Sequence, residues 1–440
     1  MRGHARNGDR MDWDIKGRGK ALKGETVVPP DKSISHRAVM FGAICRGKLR
    51  IKNFLFAEDC MRTFQAFREL GCDIEREGDD VLVSGKGLKG LKAPDKELYL
   101  GNSGTTMRII SGIIAGAGIS AVLTGDASLS ARPMARITIP LGEMGFSIST
   151  MNGDLPPVKI EKGHGPIRPI DYRTPVASAQ VKSCVLAAGL YAPGVTSVTE
   201  PFQSRDHTER MLRYFSAGIE RCGLTTRVTG RKELAGRDVD VPGDISSAAF
   251  FIVASSVIEG SQVILRNVGL NPTRTGIIKV MTRMGADIEV LDKREGVEPK
   301  GDIRIRSSEL KGTVISQEEI PLLIDEVPAL IVAALKARGE TLIEGISELK
   351  VKESDRVKCM SENLKRMGYE ISESRGALIV PGAGQTLLSA ELDSYGDHRI
   401  AMSMAVAALL AEGESRVKNT SCVDTSYPGF MSHLNALRGE

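Results

Sequence analysis

PPDKSISHRAVMFGAICRGK, residues 29–48, is the stretch around which the rest of the chain is organised. Its polar residues fall close together and are Lys32, Ser33, His36 and Arg37. The small apolar residues that follow, 38–45, predict a helix that begins near Lys32. A helix N-terminus carries unpaired N–H groups and the positive end of the helix dipole, so cations there weaken the helix and favour a bound anion. Alternatively, Asp31 or Ser33 caps the helix and the basic neighbours are solvated.

The composition is typical of a soluble globular protein. With 440 residues the chain is too long for one ordinary core, which predicts two domains. The net charge of +4 and the 4% aromatic content argue against a nucleic-acid binder. Seven scattered cysteines predict free thiols. Residues 1–20 contain no signal-peptide core, and the longest uncharged run, 109–125, is too glycine-rich for a membrane span, so we expect a cytoplasmic protein.

A polar cluster followed by a small-apolar helix that ends at a glycine recurs along the chain. The six glycines, each expected just past a helix end, are Gly47, Gly118, Gly194, Gly260, Gly339 and Gly413. A second marker lies between them, a charged helix followed by a glycine and a β-leaning run. Its glycines are Gly71, Gly145, Gly223, Gly285 and Gly368. The pattern predicts six units of roughly 65–80 residues, each with two helices and several strands.

The six units divide into two groups of three. Three precede Pro242 and Gly243 and three follow, so this dipeptide is predicted to be a hinge between two pseudo-threefold domains. We expect the first domain to span residues 29–241 and the second to span 1–28 together with 242–440. The chain crossings are expected near 27–30 and 240–244, with the active site in the interdomain cleft.

In each unit the polar residues stand at the start of the small-apolar helix. They are Lys32, Ser33 and Arg37; Asn102, Thr105 and Arg108; Ser178, Gln180 and Lys182; Asp244, Ser246 and Ser247; Asp325 and Glu326; and Asp397, His398 and Arg399. Six helix N-termini directed at one cleft would attract a substrate with several negative charges. For any single cluster, a helix cap without a ligand is the alternative.

Further cations lie in three loops. Arg132 follows a strand-like AVLTG, and Arg205 and His207 occur in SRDHTERM. The segment LKVKESDRVK contains Lys350, Lys352, Glu353, Asp355 and Arg356. A carboxylate held among cations in a cleft could transfer a proton, although a solvated, salt-bridged helix start is the alternative. No metal-binding spacing such as HExxH is present, so we expect neither a metal nor a cofactor.

Eight motifs together resemble one family, the 5-enolpyruvylshikimate-3-phosphate synthases. In order they are PDKSISHR, GNSGTTMR, LTGDASLSARPM, SAQVKS, SRDHTERM, GDISSAAFF, VKESDR and GDHRIAM, spanning residues 29–402. SLSARPM and SAQVKS are more similar to the bacterial class II branch. The resemblance implies an α/β (α+β) fold of two inside-out α/β barrel domains, each with three βαβαββ units. It also implies transfer of an enolpyruvyl group from phosphoenolpyruvate to the 5-hydroxyl of shikimate 3-phosphate by addition and elimination, with release of phosphate.

The resemblance also implies roles for individual residues. Those expected to bind shikimate 3-phosphate are Lys32, Ser33, Arg37, Ser178, Ala179, Gln180, Ser204, Arg205, Asp325 and Lys352. Those expected to bind phosphoenolpyruvate are Lys32, Asn102, Gly104, Arg132, Gln180, Arg356, His398 and Arg399. Asp325 is expected to take the 5-hydroxyl proton, Glu353 to act as acid and base at the methylene carbon, and Lys32 to assist proton transfer.

Some positions depart from the class I pattern. The C-terminal lysine that contacts phosphoenolpyruvate in class I aligns with Thr425, and Lys418 is a candidate substitute. Gly104 keeps a small residue in the phosphoenolpyruvate pocket, so glyphosate, which occupies that pocket, is expected to inhibit the protein.

Two rival functions follow from the same pattern. The sister enolpyruvyl transferase that acts on UDP-N-acetylglucosamine is disfavoured because residues 126–132 contain no cysteine and Lys32 is followed by Ser33 rather than Asn. A non-enzymatic polyanion or RNA binder is disfavoured by the low net charge and the few aromatic residues. We expect a monomer that binds two small-molecule substrates and neither nucleic acid nor membrane.

Overall fold

The first half of the chain folds into three similar units in the computed structural model, which describes residues 11–18, 20–163 and 165–440. Before them lie strands β1 (Trp13–Lys16) and β2 (Lys23–Val27). The first unit contains α1 (Lys32–Ala43), β3 (Cys45–Lys52), α2 (Glu58–Glu69), β4 (Asp73–Glu77) and β5 (Asp80–Lys86). The second contains β6 (Leu98–Tyr99), α3 (Gly104–Ala117), β7 (Ala121–Thr124), α4 (Ala127–Ser130), α5 (Ala135–Glu143), β8 (Ser147–Asn152) and β9 (Leu155–Glu161). The third contains β10 (Asp171–Arg173), α6 (Ala179–Gly189), β11 (Val195–Thr199), α7 (His207–Tyr214), β12 (Gly218–Cys222) and β13 (Thr225–Thr229).

The second half contains three more units, which begin after β14 (Leu234–Ala235) and β15 (Val239–Asp240). The fourth contains α8 (Ile245–Val257), β16 (Gln262–Gly269), α9 (Gly276–Arg283), β17 (Asp287–Arg294) and β18 (Lys300–Arg306). The fifth contains β19 (Val314–Ile315), α10 (Ile320–Leu323), α11 (Val327–Leu335), β20 (Thr341–Ile343), a 3₁₀ helix (Ile346–Leu349), α12 (Arg356–Arg366), β21 (Ser372–Ser374) and β22 (Ala377–Val380). The sixth contains β23 (Glu391–Asp393), α13 (His398–Leu410), β24 (Glu414–Lys418), a 3₁₀ helix (Thr420–Thr425) and α14 (Phe430–Arg438).

Each unit contributes to one small sheet, and three of the units build it from their own strands in the same order. In the second unit the order is β6-β7-β9-β8, with β6 parallel to β7 and the other pairs antiparallel. The third and fifth units repeat it as β10-β11-β13-β12 and β19-β20-β22-β21. The parallel pair is joined through the small-apolar helix, as a parallel connection requires. The predicted α/β fold of repeated βαβαββ units is confirmed.

Each of the other three sheets includes a strand from a distant part of the chain. In the first unit β14 and β15 pair with β3, so the end of the first half supplies the opening strand. In the fourth unit β2 supplies that strand by pairing with β16. In the sixth unit β1 pairs with β24 as the closing strand. The chain therefore leaves one half after β2 and returns after β15.

Buried hydrophobic side chains form two clusters that follow this division. One cluster draws its members from residues 34–241 and the other from residues 15–28 and 245–437. The two clusters and the borrowed strands support the proposal that residues 29–241 form one domain and residues 1–28 with 242–440 form the other. Residues 1–10 and 19, which this proposal and the signal-peptide prediction include, lie outside the described residues.

The two chain crossings lie side by side and share one buried arginine. Asp31 N–H donates to Pro242 O and Asp244 N–H donates to Pro29 O, both at 2.8 Å. The guanidinium of Arg274 contacts Asp31 at 3.0 Å and Asp244 at 2.9 Å. One guanidinium therefore bridges a carboxylate on each crossing strand.

The glycine predictions are partly confirmed. Gly118 is the left-handed C-cap of α3, but the other five small-apolar helix glycines lie two to four residues beyond the helix C-cap. Gly47, for example, is inside β3, although it keeps a positive φ of 93°. The prediction that these five directly follow a helix end is wrong. A positive φ is instead needed where the chain turns into the next strand.

The second set of glycines is confirmed in four units and wrong in the third. Gly71, with φ of 82°, directly follows the C-cap of α2, and Gly145, Gly285 and Gly368 do the same for their helices. Gly223 instead lies in the turn between β12 and β13. The positive-φ residue past the C-cap of α7 is Ser216, so the third unit uses a serine at this position.

Candidate active site

One cavity of about 430 Å³ is lined by residues from both halves of the chain. All six small-apolar helices contribute residues at or just before their N-termini, which confirms that the six helix starts converge. The predicted site residues on its wall are Lys32, Ser33, Arg37, Asn102, Gly104, Arg132, Ser178, Ala179, Gln180, Ser204, Arg205, Asp325, Lys352, Glu353, His398 and Arg399. Arg356 is not on the wall.

The same helix starts carry both a side-chain cap and residues that line the cavity. Asp31 accepts from Ile34 N–H at 2.9 Å and Asp397 accepts from Arg399 N–H at 2.8 Å. Ser178 likewise caps α6 through Val181 N–H. Each cap stabilises the first turn of its helix, and residues of that turn line the cavity. The caps are therefore present, but Lys32 and Arg37 beside Asp31 are largely buried, so the alternative in which the basic neighbours are solvated is wrong.

Lys32 forms an ion pair with a residue that the sequence did not identify. Its Nζ lies 3.0 Å from Oδ2 of Asp59, in the first turn of α2, and both side chains are largely buried. Burial would lower the pKa of Lys32, but Asp59 and Glu353 raise it above the usual range. Lys32 is consequently a firmly protonated cation in the free protein.

Asp325 is surrounded by three guanidinium groups. Arg205 lies 2.6 Å away, Arg356 3.0 Å and Arg399 3.4 Å. Burial acts to raise the pKa of Asp325, but these arginines, with Lys352, lower it well below the usual range. Helix α11 begins two residues after Asp325 and has no side-chain cap. The Asp325 carboxylate therefore makes no capping hydrogen bond and lies on the cavity wall.

Glu353 lies beside the same buried arginine. Arg356 Nη2 donates to Glu353 at 2.6 Å and Arg356 Nε donates to Asp397 at 2.9 Å. Burial would raise the pKa of Glu353, but Arg356 and Arg132 hold it well below the usual range. Arg356 therefore supports the two carboxylates Asp325 and Glu353 from behind. Its expected contact with phosphoenolpyruvate stays a prediction.

Two further wall residues have lowered basicity. Burial is the largest cause for His398, and Lys32 and Arg399 add to it, so its pKa lies well below the usual range and the ring is neutral. Burial also lowers the pKa of Lys352, against the opposing effect of Asp325. Among the described residues, His398 Nε2 and Ser204 Oγ are buried and have no hydrogen-bond partner, so both can bind a ligand.

The N-terminus of α3 and Arg132 form one corner of the cavity. Arg132 Nη2 donates to Asn102 Oδ1 and, at 3.1 Å, to Ser128 Oγ. A Cβ atom on Gly104 would lie 3.0 Å from Arg132 Nη1, so only glycine leaves that guanidinium in place. Gln180 is fixed from two sides, since it accepts from Arg108 at 2.6 Å and donates to Thr105 at 3.0 Å.

Comparison with known proteins identifies the family. The family described as EPSP synthase (3-phosphoshikimate 1-carboxyvinyltransferase) matches residues 16–434. The chain belongs to the EPSP synthase family. A 3-phosphoshikimate 1-carboxyvinyltransferase of Pelotomaculum thermopropionicum is 52% identical over 96% of this chain and 98% of that protein, and one of Bacillus cytotoxicus is 48% identical over 96% and 99%. A solved structure of EPSP synthase from Acinetobacter baumannii has a TM-score of 0.86 and 46% identity, covering 97% of this chain and 98% of that one.

Sequence reasoning missed four charged residues of this EPSP synthase family site. Asp59, Arg274 and Glu348 line the cavity, and Arg136 binds Glu348 through two contacts of 2.9 and 3.0 Å that join the two halves. Asp59 lies twelve residues before Gly71, and Ser204 lies twelve residues before Ser216. Asp59 and Ser204 therefore occupy equivalent positions in the first and third units. Counting from Gly223, the wrong marker for the third unit, does not reveal this equivalence.

The class I lysine position has no counterpart on the cavity wall. Lys418 instead pairs with Glu391 at 2.5 Å, and Thr425 donates to Cys422 O within the last 3₁₀ helix. Neither residue lines the cavity, so Lys418 as a substitute is wrong. Within residues 11–18, 20–163 and 165–440, no group of three His, Cys, Asp or Glu side chains could hold a metal ion, and no helix is long and apolar enough to cross a membrane.

Proposed function

We propose that this protein transfers the enolpyruvyl group of phosphoenolpyruvate to the 5-hydroxyl of shikimate 3-phosphate and releases phosphate, a step toward chorismate and the aromatic amino acids. One observation carries the proposal: six helix N-termini surround two carboxylates, Asp325 and Glu353, with cations in a single cavity. The two substrates together carry two phosphates and two carboxylates. Helix N-termini and arginines are suited to bind such groups.

The two substrates divide the cavity. Residues proposed to bind shikimate 3-phosphate are Lys32, Ser33, Arg37, Ser178, Ala179, Gln180, Ser204 and Arg205, with Asp325 and Lys352 from the other half. Residues proposed to bind phosphoenolpyruvate are Lys32, Asn102, Gly104, Arg132 and Gln180, with Arg356, His398 and Arg399 from the other half. Both substrates thus need both halves of the chain, which supports a reaction that proceeds in a closed site.

The reaction proceeds by addition and then elimination. In the addition, the 5-hydroxyl oxygen attacks C2 of phosphoenolpyruvate and Asp325 accepts the hydroxyl proton. Glu353, protonated in the complex, donates its proton to C3, which becomes a methyl group, and is left as a carboxylate. In the elimination, Glu353 takes a proton from C3, the C2–C3 double bond re-forms and the bond from C2 to the phosphate oxygen breaks. Lys32 lies beside both substrates and stabilises the departing phosphate.

The negative charge of the bound substrates is expected to raise the pKa values of Asp325 and Glu353. In the free protein the cations hold the pKa of Asp325 and of Glu353 well below the usual range, which makes each a weak base. Two bound polyanions offset those cations. We therefore expect both pKa values to rise in the complex, where each carboxylate must accept a proton.

A phosphate-release assay tests the proposal. Phosphate is expected only when phosphoenolpyruvate and shikimate 3-phosphate are both present, and Glu353→Ala is expected to lower kcat by about 10²–10⁴-fold. Glu373→Ala, which changes an exposed glutamate paired with Lys350, serves as the control. Release with UDP-N-acetylglucosamine as acceptor would favour the sister transferase, and retention on RNA without turnover would favour a polyanion binder.

We further propose that the protein acts as a monomer in the cytoplasm, without a metal or other cofactor. The monomer proposal rests on the meeting of all six helix starts and both carboxylates in one cavity, so the proposed reaction needs no residue from a second copy. Light scattering coupled to size exclusion would give a dimer mass if the monomer proposal is wrong. Turnover abolished by a chelator and restored by a divalent metal would contradict the cofactor proposal.

A further inference from the structure

A buried threonine on α2 joins three helices behind the cavity. Thr63 Oγ1 lies 2.6 Å from His36 Nδ1 on α1 and 2.6 Å from Thr106 Oγ1 on α3. Thr106 Oγ1 lies 2.7 Å from Oγ of Ser103, and Ser103 Oγ also accepts from Thr106 N–H to cap α3. All four side chains are fully buried. The hydroxyl chain therefore fixes α1, α2 and α3 relative to one another.

This hydroxyl chain lies one helical turn behind the phosphoenolpyruvate half of the site. His36 is four residues after Lys32, and Thr63 is four residues after Asp59, so each pair occupies the same helix face. The Lys32–Asp59 ion pair and the His36–Thr63 contact thus both join α1 to α2, one helical turn apart. Ser103 lies between Asn102 and Gly104. The hydroxyl chain therefore also fixes the Asn102–Gly104 corner of the cavity.

An equivalent threonine lies on the other side of α1. Thr208 Oγ1, on α7, is 2.6 Å from Ser183 Oγ on α6 and accepts from Arg37 Nε at 2.8 Å. Arg37 Nη2 also donates to Ser183 Oγ at 3.0 Å. Thr63 and Thr208 each lie eight residues before the positive-φ residue that follows their helix. They therefore occupy the same position in the first and third units.

The second unit provides a reference for this repeat position. Ile137 lies eight residues before Gly145 and is fully buried in the hydrophobic cluster. An apolar side chain is thus sufficient where only packing is needed. Buried hydroxyls cost stability unless they are hydrogen-bonded, so threonine at the two positions that flank α1 requires a purpose other than filling space.

We propose that Thr63 and Thr208 are paired positioning residues that set the two halves of the site separately. Thr63, through Thr106 and Ser103, positions the Asn102–Gly104 corner for phosphoenolpyruvate. Thr208 positions Arg37 for shikimate 3-phosphate. The inference rests on the proposed function, because it assigns each threonine to one of the two proposed substrates.

Valine and serine substitutions separate this role from simple packing. Thr63→Val is expected to raise KM for phosphoenolpyruvate about tenfold and to leave KM for shikimate 3-phosphate within about twofold. Thr208→Val is expected to do the reverse. Thr63→Ser and Thr208→Ser keep the hydroxyl and are expected to restore both constants. Ile137→Val, at the same repeat position, is expected to change neither constant.

The two KM values of these variants test the inference. Equal changes of both constants in both valine variants, or no change in either, would overturn it, provided the wild-type protein releases phosphate with both substrates. Absence of release by the wild-type protein would instead overturn the proposed function. Should Thr63→Val fail to fold, Thr106→Val removes the next hydroxyl of the same chain. An unchanged KM for phosphoenolpyruvate in Thr106→Val would then overturn the inference.

Discussion

Arg205 Nη2 lies 2.6 Å from Asp325 Oδ2, and this contact crosses the cavity from the first half of the chain to the second. Both side chains are mostly buried, at 14% and 18% exposure, so the pair is poorly screened by solvent. A substrate phosphate that binds Arg205 must compete with Asp325. We therefore expect substrate binding to release the carboxylate from one cation, which favours the role of base proposed for Asp325.

Replacing Asp325 with its uncharged isostere tests its role as that base. Asp325→Asn is expected to lower kcat by about 10²–10⁴-fold because the amide cannot accept the hydroxyl proton. Shikimate 3-phosphate should bind equally well or more tightly, since a negative charge beside Arg205 is removed. Phosphate release gives kcat and calorimetry gives the affinity. A variant with wild-type kcat would exclude Asp325 as the base.

The glycine at the start of α3 sets the size of the phosphoenolpyruvate pocket. Gly104→Ala would place a Cβ 3.0 Å from Arg132 Nη1, so the guanidinium must shift. We expect KM for phosphoenolpyruvate to rise, inhibition by glyphosate to weaken, and KM for shikimate 3-phosphate to stay unchanged. Gly142→Ala is the control, because a Cβ there meets no atom within 4 Å. Glyphosate inhibition that is absent in both proteins, or equal in both, would contradict this account.

The Arg136–Glu348 pair holds the two halves together beside the cavity. Arg136→Gln removes both contacts, and we expect a larger radius of gyration in small-angle scattering of the free protein and a higher KM for both substrates. Arg283→Gln is a matched control, because Arg283 forms a similar two-contact pair with Glu319 within the second half. A radius that changes equally in both variants, or in neither, would exclude Arg136–Glu348 as a closure contact.

The buried histidine on α1 makes stability depend on pH. Burial, with Lys32 and Arg37, holds the pKa of His36 well below 6.5, so the folded state keeps the ring neutral while the unfolded state binds a proton below that pH. Stability is therefore expected to fall as pH drops below about 6.5, with a slope of up to about 1.4 kcal/mol per pH unit from this group. Urea unfolding of wild type and His36→Asn between pH 7.5 and 5 measures the slope. Equal slopes would contradict the assignment.

Local patterns were sufficient to predict the repeat and the helix starts. The polar cluster at Lys32 and the apolar run after it lie within one helix, and their recurrence located all six cavity-facing N-termini. Helix ends were less predictable. The positive φ at Gly47 lies inside β3 and not at the end of α1, and a glycine in the sequence alone does not distinguish the two cases.

Contacts between helices were the part that the sequence did not predict. Asp59 pairs with Lys32 because α1 and α2 pack together, and its surroundings in the chain contain no local indication of that partner. Arg136 and Glu348 meet only after the two halves come together. The family resemblance predicts that Arg356 contacts phosphoenolpyruvate, but it did not predict that the guanidinium pairs with both Asp325 and Glu353.

Six helix starts line one cavity, in which we propose that two polyanions react. Phosphorus NMR of the wild-type protein with phosphoenolpyruvate and shikimate 3-phosphate measures this directly. We predict that inorganic phosphate and a new phosphomonoester appear in equal amounts, and that neither appears when one substrate is omitted. Phosphate formed from phosphoenolpyruvate alone, or without the new phosphomonoester, would contradict the account.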